Sequence, residues 1–141
     1  MSEYEVEFGE FLSYGGYGEA LEHLTRSIAA ICRRDRGVTK FYIGKASGRD
    51  PTTAIEGRYD HVKVKHQFTE DWALFQSENS DLVIRLEVAL IRRFKGAPSA
   101  KYETLPNRAF YDDPRCVNIS FSRSQPAAQP LHFIYLALKR A

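Results

Sequence analysis

The sequence contains few cysteines and no long apolar segment. Its only two cysteines, Cys32 and Cys116, form no CxxC pair. This pattern disfavours both a structural zinc site and a disulfide-stapled secreted fold. No stretch approaches the roughly 18 apolar residues of a membrane span, and the N-terminus lacks the basic and apolar regions of a signal peptide. We therefore expect a cytoplasmic protein in a reducing compartment, with no membrane partner.

The length and composition favour one compact domain. The chain has 141 residues, of which 43% are hydrophobic and 27% are charged. Domains usually contain about 100 to 150 residues, and a chain of this size has enough apolar material for a core of its own. We therefore predict a single domain over residues 1–141.

The small net charge conceals a separation of charges along the chain. The formal net charge is +2, but residues 1–25 carry six glutamates and no lysine or arginine. The rest of the chain is therefore basic, with a net charge of +8. A local positive field attracts phosphate groups even when the total charge is small, although scattered surface charge would give the same sum.

The hydrophobic periodicity predicts alternating strands and helices. Periods near two indicate strands, and periods near 3.6 indicate helices. Strands are predicted over residues 4–8, 38–46, 72–76, 116–122 and 131–139. Helices are predicted over residues 19–34, 51–65 and 82–95, with a glycine loop over 14–18. This order indicates an α+β or a small α/β fold.

Glu87 is the sharpest anomaly in the predicted helices. Its neighbours three and four residues away are Val83, Ile84, Leu90 and Ile91, so its carboxylate projects from an apolar helix face. Burial of a carboxylate is costly unless it is paired with a cation, binds a metal or takes up a proton. The residue therefore indicates either a functional site or a structural ion pair with a core arginine.

A basic face is predicted on the helix over residues 51–65. Arg58, His61 and Lys65 share that face because they are three and seven residues apart. A guanidinium binds phosphate bidentately and histidine exchanges protons near neutral pH, as phosphodiester cleavage requires. A solvated helix surface would have the same pattern.

A strand sequence completes a recognisable set of motifs. Tyr42 begins a Tyr-Ile-Gly-Lys sequence near the end of a predicted buried strand, Arg58 and His61 follow, and Glu87 lies in a Glu-x-x-Leu-Ile helix. In this order the motifs resemble those of the GIY-YIG nuclease family over about residues 38–95. The resemblance implies an α+β fold with a small mixed, mainly antiparallel sheet of three to four strands flanked by helices. Its core would span about residues 38–122, preceded by an acidic extension over 1–36 and followed by a C-terminal strand over 131–139.

The resemblance implies a metal-dependent endonuclease that hydrolyses nucleic-acid phosphodiester bonds. In such an enzyme Glu87 would bind one divalent ion, Mg²⁺ or Mn²⁺, while Tyr42 lines the active site. Arg58 would contact the scissile phosphate, and Lys45 would help to neutralise developing charge. His61 or a tyrosine would assist the attacking water.

The implied partner is nucleic acid, with DNA as the expected substrate. The residues expected to contact it are Arg49, Lys63, Lys65, Arg92, Arg93 and Asn118. A later asparagine often completes the family's site, and both Asn107 and Asn118 match it.

The family's first motif, Gly-Ile-Tyr, is missing from its usual place. It normally lies on a strand about ten residues before Tyr42, where this chain has a helical pattern instead. Tyr135, in a Phe-Ile-Tyr sequence, is one candidate replacement and would imply a circularly permuted arrangement. Tyr14 and Tyr17 are rival candidates, and Tyr135 would also suit an ordinary core strand.

Two other functions fit the same sequence. In the first, the scaffold is kept without the chemistry, as an inactive module that binds nucleic acid or protein. In an unrelated α+β protein, Glu87 and Arg58 would instead form a buried ion pair.

Overall fold

The fold consists of one mixed sheet with helices on it. The computed structural model describes residues 5–8, 17–55, 67–95, 113–118 and 129–141. Its strands are β1 (Glu5–Phe8), β2 (Val38–Gly48), β3 (Glu70–Ser77) and β4 (Leu131–Arg140). Its helices are α1 (Tyr17–Ile31) and α2 (Ser80–Lys95). Residues 51–55 are also helical.

The four strands form one sheet in the order β1, β3, β4, β2. Strand β4 is antiparallel to both β2 and β3, whereas β1 is parallel to β3. The predicted α+β class and the mainly antiparallel small sheet are therefore confirmed. The last strand in the chain lies inside the sheet and separates β2 from β3.

The two faces of the sheet carry separate cores. On one face, Phe41 and Ile43 of β2 and Leu136 of β4 pack with Leu24 of α1 and Leu90 of α2 in what we call the helix-side core. The opposite face carries a smaller cluster of Ala46, Ile55, Phe68, Ala73, Tyr135 and Ala137. Because successive side chains of a strand point to opposite faces, the parity of a position decides which core it joins.

The ends of the elements follow local chemistry. The side chain of Asn79 accepts a hydrogen bond from the backbone N–H of Leu82 at 3.1 Å and so caps α2 as predicted. Gly37 ends a short 3-10 turn over Arg34–Arg36 with a φ of 76°, a conformation that glycine adopts without a steric penalty. The chain then enters β2.

Several predicted boundaries need correction. Helix α1 begins at Tyr17 and ends at Ile31, so the predicted glycine loop is wrong at its last two residues and the predicted helix end at residue 34 is wrong. Strand β2 continues to Gly48, beyond the predicted end at residue 46, because its pairing with β4 extends to Leu131. The predicted strand over 116–122 is reduced in its described part to a single bridge between Cys116 and Phe41. None of the helices in the described ranges is long and apolar enough to cross a membrane.

Candidate functional site

Two tyrosines meet on the face of the sheet opposite α1 and α2. Tyr42 of β2 and Tyr135 of β4 have ring centroids 6.1 Å apart with an angle of 41° between the planes. The ring centroid of Phe68 lies 6.3 Å from that of Tyr42. We call Tyr42, Phe68 and Tyr135 the tyrosine cluster. Tyr42 is half-buried, whereas Tyr135 is fully buried. Tyr42 is therefore the tyrosine of the pair that reaches the surface.

Gly44 makes room for the ring of Tyr135. The two residues are paired across β2 and β4. A Cβ atom on Gly44 would lie 2.3 Å from Cζ and 2.5 Å from the hydroxyl oxygen of Tyr135. No side chain fits in that space, so the glycine of the Tyr-Ile-Gly sequence and the tyrosine of β4 depend on each other sterically.

Polar side chains occupy the other face of β2 near its end. Alternation places Lys45 and Ser47 on the face of Ile43. Ser47 Oγ lies 2.7 Å from Nδ1 of His132, its partner on β4. His132 is only 2% exposed. Burial and the positive charge of Lys45 hold the pKa of His132 below its ordinary value, so this imidazole is neutral at pH 7.

Glu87 lies on the buried face of α2, as its apolar neighbours predicted. It is 2% exposed, and Val83, Leu86 and Leu90 around it belong to the helix-side core. The sheet residues of that core include Phe41 and Ile43, whose side chains point to the face of the sheet opposite Tyr42. The structure therefore brings Tyr42 and Tyr135 together but holds Glu87 on the other side of the sheet, the side of Lys45.

Asn118 binds the outer edge of β2. Its Oδ1 accepts a hydrogen bond from the backbone N–H of Ile43 at 2.9 Å, and its Nδ2 donates to the Ile43 carbonyl at 2.8 Å. It is 1% exposed. The amide thus takes the place of a neighbouring strand beside the Tyr-Ile-Gly sequence. This contact identifies Asn118 as a residue that positions β2.

The predicted basic contacts have different environments. The guanidinium of Arg93 donates to Glu22 and to Thr25 of α1, each at 3.0 Å, and its side chain is only 13% exposed. Arg92 is half-buried, whereas Arg49 is exposed just beyond β2. Of these three residues, Arg49 is therefore the most accessible to an anionic ligand.

Two buried residues with ionisable polar side chains, Asp71 and His132, were not identified from the sequence. Asp71 of β3 is fully buried and pairs with Ala137, two positions from Tyr135 on the same face of β4. His132 is the other. Nothing in the local pattern distinguishes either residue from an ordinary polar residue at the start of a strand. Both residues are buried because β4 lies inside the sheet, between β3 and β2.

Several predicted site residues lie outside the described residues. They are Arg58, His61, Lys63, Lys65, Asn107 and the rival candidate Tyr14. Tyr17, the other rival, lies in α1 with its ring 4.4 Å from the guanidinium carbon of Arg85.

Within the described part of the chain, no three histidine, cysteine, aspartate or glutamate side chains group as metal ligands. Comparisons of the chain with protein-family models, with curated proteins and with solved structures gave no match.

Proposed function

We propose that the chain is a GIY-YIG-like, metal-dependent endonuclease that hydrolyses phosphodiester bonds in nucleic acid, with DNA as its expected substrate. The observation that carries the proposal is the contact of Tyr135 with Tyr42 and Gly44 across β2 and β4. The resemblance calls for a second tyrosine on a strand beside the Tyr-Ile-Gly strand. Tyr135 meets that requirement from the C-terminal side of the chain.

The ends of β2 and β4 support a permuted order of strands. The backbone N–H of Ala141 donates to the carbonyl of Gly37 at 2.8 Å, immediately before β2 begins at Val38. A short connection from residue 141 to residue 38 would join the two antiparallel strands as a hairpin. A permuted order, in which the first motif follows the rest of the core, would explain why that motif is absent from its usual place.

A divalent ion fits the donor chemistry of Glu87. The carboxylate of Glu87 offers the oxygen ligands that Mg²⁺ prefers, and a bound Mg²⁺ keeps several waters. When bound, the ion would polarise the phosphate and stabilise the leaving oxygen. One carboxylate with waters suffices for such a site.

The chain's own residues would bind and orient the substrate. Because Tyr42 lies on the face of the sheet opposite Glu87, His61 rather than Tyr42 would assist the water that attacks a phosphate held at Glu87. Lys45 and Arg58 would neutralise charge that develops on the phosphate. Arg49 would hold the backbone beyond the end of β2, with salt-dependent affinity.

A second function is favoured by one specific observation. Because Glu87 and Tyr42 lie on opposite sides of the sheet, the two groups do not form a single cleft in the described residues. A module that binds nucleic acid without cleaving it needs no such convergence. In such a module the basic surface would bind the nucleic acid, and the tyrosine cluster would have only a structural role.

We place either activity in the cytoplasm. The two cysteines are free and buried, which suits a reducing compartment.

Cleavage of supercoiled plasmid DNA in the presence of Mg²⁺ or Mn²⁺ tests the proposal. We expect the wild type to nick the plasmid and Glu87→Gln to lose at least about 100-fold in rate, as for other essential groups that stabilise charge. Glu78→Gln, at an exposed position between β3 and α2, is the matched control and should retain full activity.

Thermal unfolding of both variants separates lost chemistry from lost structure. Absence of nicking by a folded wild type with either metal, or equal nicking by folded Glu87→Gln, would exclude the enzyme. Salt-sensitive DNA binding without nicking would support the binding module instead.

A further inference from the structure

Two lysines face each other across β2 and β4. Lys40 and Lys139 are cross-strand partners, immediately after a register shift between Val38 and Lys40. We call Lys40 and Lys139 the lysine pair. Directly opposed residues of an antiparallel pair have Cβ atoms about 5 Å apart, and like charges at that separation destabilise a sheet. An anion bound between the two ammonium groups would remove their repulsion.

The lysine pair lies on the same face of the sheet as the tyrosine cluster. Lys40 comes two residues before Tyr42, and Lys139 comes two residues after Ala137 of that face. Alternation along each strand therefore points both side chains away from α1 and α2, which pack on the other face. Both lysines are half-buried. A lysine in this environment lays its stem along the sheet and keeps its ammonium in water, where a ligand can reach it.

The charges of the lysine pair are not neutralised within the described part of the chain. Among those residues, neither lysine forms an ion pair. Lys139 donates one hydrogen bond, at 3.4 Å, to the side-chain oxygen of Gln67. That contact is long and involves a neutral group, so it leaves the positive charge in place.

The nearest carboxylates of the sheet do not cancel this charge. Asp71 lies on the same face in the neighbouring cross-strand row, but it is fully buried and forms no ion pair with either lysine. Glu70 pairs with Leu138 of the helix-side core, so it points to the other face. It accepts hydrogen bonds from Arg140 at 2.8 and 3.0 Å. The accessible charge beside Tyr42 is therefore positive.

We propose that Lys40 and Lys139 bind one phosphate of a nucleic-acid backbone between them, so that the lysine pair forms part of the nucleic-acid interface. Contacts of this kind hold a backbone in place without reading its sequence. Tyr42, about 7 Å from Lys40 along the strand, would lie beside the same stretch of backbone. The choice of nucleic acid over a free phosphate rests on the nucleic-acid binding that both proposed functions share.

Binding of a duplex oligonucleotide without terminal phosphates, measured by fluorescence anisotropy in EDTA, tests the lysine pair. We expect Lys40→Gln and Lys139→Gln each to weaken binding about threefold or more at low salt, equally for duplexes of different sequence. The double variant loses the phosphate contact, so the slope of log affinity against log salt concentration should fall by about 0.9.

Arg26→Gln is the matched control. It removes one positive charge from an exposed position of α1, which packs on the other face of the sheet. It should bind the duplex like the wild type. A wild type that binds no duplex, lysine variants that bind as well as the wild type, or an equal loss in Arg26→Gln would each overturn the proposal.

Urea denaturation separates lost binding from lost structure. Both single lysine variants should unfold at a higher urea concentration than the wild type, because each removes a repulsion between like charges. Lys40→Glu replaces the repulsion with attraction, so it should be the most stable variant and the weakest binder. A lower urea midpoint in all three variants would contradict the repulsion from which the proposal starts.

Inorganic phosphate, followed by NMR spectroscopy, distinguishes the two sources of the ligand. We expect the duplex to perturb the backbone amides of residues 39–42 and 137–140 more strongly than phosphate alone does. Perturbation by phosphate without any by the duplex would assign a free phosphate ligand and overturn the nucleic-acid assignment.

Plasmid nicking is measured separately from binding. A protein that binds DNA through the lysine pair but never nicks it contradicts the nuclease and leaves the lysine pair standing. Lysine variants that both bind and nick like the wild type overturn the lysine pair and leave the nuclease standing.

Discussion

At the scale of single residues, Gly44 and Tyr135 are the closest-fitting pair of the candidate site. The aromatic ring occupies the volume that any larger residue at position 44 would fill. Tyr135 is fully buried, so its ring has no exposed direction in which to move. The Tyr-Ile-Gly sequence therefore has a steric requirement for glycine in addition to any role in catalysis.

Gly44→Ala should destabilise the fold by about 1–3 kcal/mol, as overpacking of a well-filled core does. Gly18→Ala is the control, because no heavy atom lies within 4 Å of the added Cβ. It should be neutral or stabilising by up to about 1 kcal/mol, since alanine favours helix over glycine. Urea denaturation measures both free energies of unfolding.

A second substitution tests the steric origin of this effect. In the background of Tyr135→Leu, Gly44→Ala should cost less than it does in the wild type, because the clashing ring is gone. Equal costs in the two backgrounds would contradict direct contact as the cause.

The sequence identified part of the site at this scale. Glu87 was predicted to be buried because residues three and four positions away on a helix are its neighbours. Tyr135 was named as a candidate partner of Tyr42, and its place beside that residue is observed. Asp71 and His132 were missed because both become buried only when β4 pairs with β2 and β3. Those two strands lie more than 50 residues before β4 in the sequence. Local periodicity carries no information about such distant pairing.

At the scale of elements, the edge of β2 is completed by residues that are not a strand. The backbone N–H of Val117 donates to the Phe41 carbonyl at 2.9 Å, and the side chain of Asn118 continues the contact at Ile43. A strand was predicted over 116–122, but its described part pairs with β2 only through the bridge between Cys116 and Phe41. The hydrophobic pattern could not show that an asparagine side chain replaces backbone pairing.

Asn118→Ala should destabilise the protein by leaving the N–H and C=O of Ile43 without their partner. Each buried backbone group that loses its hydrogen bond costs about 1–3 kcal/mol. Amide hydrogen exchange at Ile43 should accelerate accordingly. Asn79→Ala, which removes an exposed helix cap, is the comparison and should cost about 1 kcal/mol. If the two substitutions cost the same and exchange at Ile43 does not change, Asn118 does not hold the edge.

At the scale of the whole molecule, two groups at opposite ends of the sheet make stability depend on pH. Burial and Lys45 lower the pKa of His132 from its ordinary value of 6.5. A hydrogen bond from Arg140, assisted by one from Trp72, lowers the pKa of Glu70 from 4.5. In both cases the unfolded chain takes up the proton at a higher pH than the folded protein does. Stability contributed by these groups is therefore lost as pH falls.

We expect the free energy of unfolding to decline in two windows, first below about pH 6.5 and again below about pH 4.5. Each group contributes a slope of up to about 1.4 kcal/mol per pH unit while only the unfolded state binds its proton. Urea denaturation between pH 8 and pH 3 measures the profile.

His132→Gln should flatten the upper window and Glu70→Gln the lower one. Each substitution serves as the control for the other. An unchanged slope between pH 6.5 and pH 5 in His132→Gln would show that other groups cause the decline.

The position of β4 inside the sheet bears on the order in which the protein is made. Ribosomes release a chain from its N-terminus, so β2 and β3 emerge before the strand that lies between them. Until residues 131–140 leave the exit tunnel, each of these strands has an edge that lacks its native partner. Strand β3 pairs directly with β1, whereas β2 joins the sheet only through β4.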